Sequence, residues 1–190
     1  YETNFFSDSA NVLKSLVELE PTCREVATEI RGAHSRGNSI LIAGNGGSCS
    51  DGLHFAGELS CTYEKSDRLP YRAICLNANQ SAVTAWANDF DFSSFYKRQV
   101  KALGRSGDVL VLFSTSGGCL KTKKSMNLIE AANEAKGNGI KVIGFLGKTG
   151  GELMKIADIA LHVKSDSTAM VQQAHITLVH AICEILESHA

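Results

Sequence analysis

The chain is poor in several things that would point elsewhere. It has two prolines in 190 residues and no low-complexity segment, which excludes long linkers and extended disorder. It has no basic surplus: 19 Lys and Arg stand against 20 Asp and Glu, for a formal net charge of −1. A nucleic-acid partner leaves a larger basic footprint, so none is expected. The nearest approach to a basic cluster, Lys121, Lys123 and Lys124, reads as the solvated first turn of a helix. The six cysteines (Cys23, Cys49, Cys61, Cys75, Cys119 and Cys183) include no CxxC pair, which removes a structural cysteine–zinc site. Free thiols in a reducing cytoplasm are the plainest account of them. No apolar stretch reaches the ~18–20 residues that cross a bilayer, and no charged-then-apolar leader opens the sequence. The expectation is a cytoplasmic protein without a membrane partner.

What is present is an ordinary globular composition, 44% apolar and 21% charged, in a length that suits one domain. Two Gly/Ser-rich loops each follow a short apolar run. The first, Ala43-Gly44-Asn45-Gly46-Gly47-Ser48, follows Ser39-Ile40-Leu41-Ile42. The second, Ser114-Thr115-Ser116-Gly117-Gly118, follows Val109-Leu110-Val111-Leu112-Phe113. Continuous β-branched and apolar runs are the mark of buried parallel strands. A glycine-rich turn after such a strand brings backbone N–H groups close to an anion, and the following helix aims its positive end there. Hydroxyls add donors without charge. Two such loops on one sheet predict a pocket for a phosphorylated small molecule.

Hydrophobic periodicity predicts helices over about 8–36, broken at Glu20-Pro21, before any strand. Strands follow at 39–43, 72–76, 109–113, 141–146 and 159–163. Helices are expected near 50–63, 80–87, 92–103, 120–136, 152–157 and 168–188. This alternation means right-handed βαβ crossovers, a parallel sheet, and ligands at the carboxyl ends of its strands. The first two helices have no obvious place in that repeat and predict an added layer or an oligomer interface.

His54 and Glu58, four apart on the helix after the first loop, share one helical face. The last helix sets Gln172, Gln173, His175 and His180 into an otherwise apolar pattern, where polar groups need partners. A single buried histidine would be unremarkable. Two histidines and two glutamines in nine residues point towards a site.

These segments carry a resemblance. AGNGGS at 43–48, DGLHFAGEL at 51–59, AND at 87–89, GDVLVLFSTSG at 107–117, KVIGFLGKTGGEL at 141–153 and QQAHITLVH at 172–180 are similar to the phosphoheptose isomerases of the sugar isomerase (SIS) domain family, in their order and spacing. The resemblance covers essentially the whole chain from residue 8. It implies one SIS domain over 1–190, α/β, a three-layer α/β/α sandwich on a five-stranded parallel, flavodoxin-like sheet. The N-terminal helical extension takes about 8–36, the sheet core about 39–163 and the last helix about 168–188. It implies conversion of sedoheptulose 7-phosphate to D-glycero-D-manno-heptose 7-phosphate through an enediol(ate), for bacterial lipopolysaccharide, capsule or S-layer heptose. Glu58 and His180 would be the catalytic proton-transfer pair. Asn45, Gly46, Gly47, Ser48, Ser114, Thr115 and Ser116 would hold the sugar phosphate, Asn88 and Asp89 would meet sugar hydroxyls, and Glu58, Cys119 and Gln172 complete the substrate set. One Zn2+ would be held by His54, Glu58, Gln172 and His180. The assembly implied is a homotetramer with sites between subunits.

The chain departs from that pattern at Cys119, where serine is frequent, at Gln173 in place of glutamate, at Cys49, and at Ala169-Met170, where a charged residue is common. These departures keep two alternatives open: an isomerase for another sugar phosphate, and a non-catalytic sugar-phosphate sensor that docks a protein partner. The presence of both Glu58 and His180 argues against the sensor.

Overall fold

The computed structural model describes residues 4–188. Five strands form one all-parallel sheet: β1 Ile40–Gly44, β2 Ala73–Cys75, β3 Val109–Ser114, β4 Lys141–Leu146 and β5 Ile159–His162, in the order β2-β1-β3-β4-β5. Chain order reverses between β1 and β3, which is where an open α/β sheet offers its crevice. The register pairs Gly44 with Phe113, so both glycine loops leave the sheet at nearly the same level.

Alternation along the strands sorts the core onto two faces. Ile40, Ile42, Val111, Phe113 and Phe145 point to a layer made by α2 (Glu20–Ser35), α3 (Gly47–Ser60) and α8 (Thr168–Ser188). Leu41, Ala43, Leu110, Leu112 and Val142 point to the other. That second layer is built by α4 (Gln80–Asp89), α5 (Phe95–Leu103), α6 (Met126–Gly137) and the short α7 (Leu153–Ile156). The expected three-layer sandwich is therefore found.

The N-terminal helices divide. After α1 (Phe5–Ser15) a 3₁₀ turn over Leu16–Leu19 leads into α2. Val26, Ala27, Ile30 and Ala33 of α2 have no exposed surface and lie in the sheet-facing core. The expectation of an added layer or an oligomer interface for both helices is thus corrected for α2: it precedes the repeat but fills a place in the sandwich's own layer, because its stripe of small and branched side chains fits against the sheet and α8. Only α1 stays peripheral, with Phe6 84% exposed and Val17, just beyond it, 73% exposed. α8 is long and apolar enough to cross a membrane by those two measures. Its buried face, through Val171, Ala174, Leu178, Val179 and Ile182, packs into the same core as α2 and α3.

A second correction concerns the helix expected from Leu120. Helix α6 starts only at Met126. Residues 120–125 form a turn closed by a two-way backbone bridge, with Cys119 N–H on the Lys124 carbonyl and Lys124 N–H on the Cys119 carbonyl, each at 3.0 Å. Lys123 and Ser125 take φ of 55° and 54°, which non-glycine side chains rarely adopt and a helix cannot continue through.

Candidate active site

The strand β1 ends at Gly44, where an added Cβ would lie 2.3 Å from the Ser48 carbonyl oxygen. Only glycine lets the first turn of α3 fold back so tightly on the strand. The Tyr96 hydroxyl donates to the Gly44 carbonyl at 2.5 Å and fixes the loop from the opposite layer. Helix α3 begins at Gly47, earlier than the sequence pattern indicates, so Gly47 and Ser48 stand in its first turn, where the Ser48 N–H bonds the Asn45 carbonyl at 3.1 Å and the Cys49 N–H that of Gly46 at 3.0 Å. On the far side Gly117, at φ 69°, passes the 147–151 turn so closely that a Cβ would collide with the Gly150 carbonyl.

Between the two loops lies a cavity of about 360 Å³. Asn45, Gly46, Gly47, Ser48, Ser114, Thr115, Ser116 and Gln172 all line it. The Ser114 hydroxyl accepts the Gly117 N–H at 3.0 Å and the Ser116 hydroxyl that of Gly118 at 3.4 Å. Each oxygen is thereby oriented, and its own proton remains to be donated. Asn45 and Asn127 exchange two amide hydrogen bonds, 2.9 and 2.8 Å, tying the first loop to α6.

Lys124, Ser125 and Thr168 also line the cavity, and sequence reasoning missed them. The lysine triplet was a signal, but as a helical first turn it pointed to solvent. The turn at 119–125 instead brings Lys124 to the pocket, the charged donor an anion needs. It also means that the second loop does not open directly into a helix; α6 borders the cavity through Leu128, and Ser125 just before it belongs to the turn.

Two turns further along α3 is a second constellation. His54 Nε2 and Glu58 Oε1 are 2.8 Å apart, as the four-residue spacing predicts. His180 from α8 places its Nε2 3.5 Å from that of His54. Among the described residues these three form a set whose ligand atoms all lie within 4.8 Å of one another. Two imidazole nitrogens and a carboxylate oxygen converging in this way fit a divalent metal with zinc's preferences. Tyr63 stacks on His180, centroids 5.8 Å apart.

Gln172 is on the same helix as His180 but packs against Gly47, whose added Cβ would meet the amide at 2.5–2.8 Å. Helices α3 and α8 thus run side by side in the same sense: Gly47 with Gln172 at one level, His54 with His180 at the next. Asn88 and Asp89 end α4, exposed and hydrogen-bonded to each other at 2.7 Å, away from the cavity lining. Cys119 borders an adjoining cavity that shares Ser116 and Lys124 with the first. Hydrogen bonds from the Thr122 hydroxyl and backbone lower its thiol pKa. Cys49 goes the other way, raised by burial.

Two further titratable groups lie buried near these sites, and only the second was marked by the sequence. Asp51, one turn before His54, has a buried carboxylate oxygen without a hydrogen-bond partner. Burial raises its pKa to about 6 against the opposing pull of His54. His175, which the polar run on α8 associates with a site, is fully buried, edge-on against the stacked rings of Phe113 and Phe145. Neither of its ring nitrogens makes a hydrogen bond of ordinary geometry. Burial lowers its pKa to about 4, offset in part by the nearby Leu146 backbone.

The SIS domain family model matches residues 4–147. The phosphoheptose isomerase of Campylobacter concisus is 42% identical over 182 residues, spanning 96% of this chain and 89% of that protein. That of Burkholderia pseudomallei is 37% identical over 190 residues, spanning 98% and 93%. The solved structure of a phosphoheptose isomerase from Francisella tularensis matches with a TM-score of 0.90 at 31% identity, covering 97% of this chain and 95% of that one. Matched over nearly its whole length in both sequence and fold, the chain belongs to the SIS domain family and, within it, to the phosphoheptose isomerases.

Proposed function

We propose that the protein isomerises sedoheptulose 7-phosphate to D-glycero-D-manno-heptose 7-phosphate. The observation that carries this reading is the arrangement along one helix pair: an anion cradle at the first turn of α3 and, two turns on, His54, whose imidazole meets both members of the acid–base pair, Glu58 and His180. Seven residues of helix rise roughly 10 Å, the order of reach between the phosphate and the carbonyl end of an extended seven-carbon sugar.

The phosphate would sit among the backbone N–H groups of Gly46 and Gly47, the hydroxyls of Ser48, Ser114, Thr115 and Ser116, and the Lys124 ammonium. Glu58 would remove the proton from C1 of the ketose to give an enediolate. His180 would carry the oxygen proton between O1 and O2, and Glu58 would return its proton to C2. No atom is gained or lost; the carbonyl moves by one carbon. Asn88 and Asp89 would meet sugar hydroxyls, and Cys119 would stand at the pocket's outer edge.

His54, Glu58 and His180, with Gln172 as fourth donor, would hold a zinc ion. When bound it would supply a Lewis acid near the reacting oxygens. In this chain the Gln172 amide lies against Gly47, two helical turns from His180, so it joins that set by a change of rotamer or from a neighbouring subunit. The proposed assembly is a homotetramer with sites between subunits; exposed Phe6 and Val17, and Phe90 at 61% exposure, are apolar surface for it to cover. Six free cysteines suit the bacterial cytoplasm, and the product suits heptose supply for surface glycans.

Solvent exchange tests the reading. Purified protein incubated with sedoheptulose 7-phosphate in deuterium oxide, with zinc added, is expected to place deuterium on the carbons that flank the moving carbonyl and to form the aldose. Tight binding of the sugar phosphate with no deuterium incorporated would overturn the isomerase and leave the sensor.

A further inference from the structure

The last turn of α3, which carries Glu58, ends beside the most heavily bonded ion pair in the described residues. Arg68 and Glu187 are 3.0 Å apart, with side chains only 4% and 5% exposed. The Arg68 guanidinium also donates to the carbonyl oxygens of Glu58 and Leu59, the latter at 2.9 Å, and of Leu69 at 3.2 Å. The first two belong to the last turn of α3, whose carbonyls lack intrahelical partners and favour a cation. The Glu187 carboxylate accepts the backbone N–H groups of Glu64 at 3.1 Å and Lys65 at 3.0 Å. Those residues follow Tyr63, the ring stacked on His180. Burial alone would raise the Glu187 pKa, but Arg68 and these N–H groups outweigh it and hold the carboxylate below its ordinary range.

Glu187 is seven residues, close to two turns, beyond His180, so both lie on one face of α8. One ion pair therefore ties the turn of Glu58, the last turn of α8 two turns beyond His180, and the backbone just after Tyr63 together. Neither partner touches the loop cavity, whose lining contains neither residue.

We propose that Arg68 and Glu187 are positioning residues: their buried pair sets the spacing of α3 and α8, and with it the approach of His54, Glu58 and His180. The proposal rests on the isomerase reading for its kinetic consequence, though not for its geometric one. A planar guanidinium with four of its donors engaged transmits position far better than a single ammonium. A misplacement of the order of 1 Å at a reacting group costs up to ~100-fold in rate.

The test uses full-length Glu187→Gln and Arg68→Lys. Three measurements are made on each: kcat and KM, calorimetric affinity for inorganic phosphate, and the visible absorption of added Co2+ as a probe of the His54–Glu58–His180 set. The expected result is a ~10- to 100-fold fall in kcat with KM and phosphate affinity within about 2-fold of wild type, together with a changed cobalt spectrum. Arg68→Lys, which keeps the charge but loses the fork, is expected to show the smaller effect, and carries the test if Glu187→Gln does not fold. Wild-type kcat and cobalt spectrum in a folded variant would overturn the proposal. So would equal losses of kcat and phosphate affinity, which denote a merely structural pair. A wild-type protein that binds cobalt without isomerising sedoheptulose 7-phosphate would instead overturn the substrate reading, and the cobalt spectra of the variants would still decide the positioning. A wild type that neither isomerises nor binds cobalt would overturn both.

Discussion

Gly47 meets Gln172 at the start of the α3–α8 pair, and His54 meets His180 two turns further on, yet the two levels are made of different materials. The cavity at the first level is largely backbone: loop N–H groups, short hydroxyls, and glycines that permit the approach. The cluster at the second is entirely side chain, and its geometry depends on the distance between two helices. A backbone site is specified by which residues are absent, chiefly Cβ atoms, and it binds. A side-chain site is specified by which functional groups are present, and it can move protons. Substitutions at the two levels should therefore separate binding from turnover.

The largest separation is expected at Glu58. Glu58→Gln keeps size and hydrogen bonding but cannot take a proton. A general base contributes ~10²–10⁴-fold, so kcat should fall at least ~100-fold while the affinity for sugar phosphate stays near wild type. His180→Gln should behave alike, and the double variant should be little worse than either single one, since both act on one proton-transfer event. Steady-state kinetics with calorimetry on the same preparations reads the split. A loss of affinity as large as the loss of rate would erase the distinction between the two levels.

The reverse pattern is expected from Ser114→Ala with Ser116→Ala. Both hydroxyls are oriented by loop N–H groups, and removing them should cost ~2–4 kcal/mol of binding to the phosphate, about 30- to 700-fold in affinity. Turnover at saturating substrate should change far less. Calorimetry with inorganic phosphate as ligand isolates this level from the cluster. Unchanged affinity would mean that the anion sits elsewhere, the adjoining cavity around Cys119 and Lys148 being the next place to look.

The contrast also explains what could be seen beforehand. Local patterns were legible: the five strands, both glycine loops, and the four-residue spacing of His54 and Glu58 all sit within short windows where periodicity or a turn residue states the backbone's course. That the sheet is parallel followed from the alternation of strands and helices; its order, β2-β1-β3-β4-β5, is seen only in the fold. What escaped were contacts between residues far apart in the chain, which leave no periodic trace. The Asn45–Asn127 amide pair spans 82 positions and the Arg68–Glu187 pair 119. The turn at 119–125 escaped for a different reason. Its residues Lys121, Thr122, Lys123 and Lys124 are unobjectionable in a helix, and nothing short of the backbone itself reveals the positive φ at Lys123 and Ser125. For α2, the apolar stripe was plain, but a stripe does not say which surface it covers.

His175 belongs to neither level and offers the subtlest test. It lies on α8 between Gln172 and His180, yet it faces the sheet, wedged against Phe113 and Phe145, so at neutral pH it should affect neither binding nor turnover. Its influence is on stability, and only in acid. Burial lowers its pKa to about 4 from an ordinary value of 6.5. Above pH 6.5 the ring is neutral in the folded and unfolded chain alike, and its contribution to stability is constant. As pH falls from 6.5 to 4, the unfolded chain takes up a proton that the folded core refuses, and stability declines; below 4 both forms are protonated and the decline stops. The whole effect is on the order of 3 kcal/mol. Asp51, raised by burial to about 6, works in the opposite sense between about 4 and 6, so the wild-type profile alone mixes the two. Comparing wild type with His175→Leu cancels Asp51. Urea unfolding at pH 7 and pH 4.5 should show a smaller loss of stability in the variant, with unchanged sugar-phosphate affinity at pH 7. Parallel pH profiles would mean that the ring finds a proton acceptor when charged. A variant that lost turnover at neutral pH would mean that this buried ring, lying between the two levels, couples them.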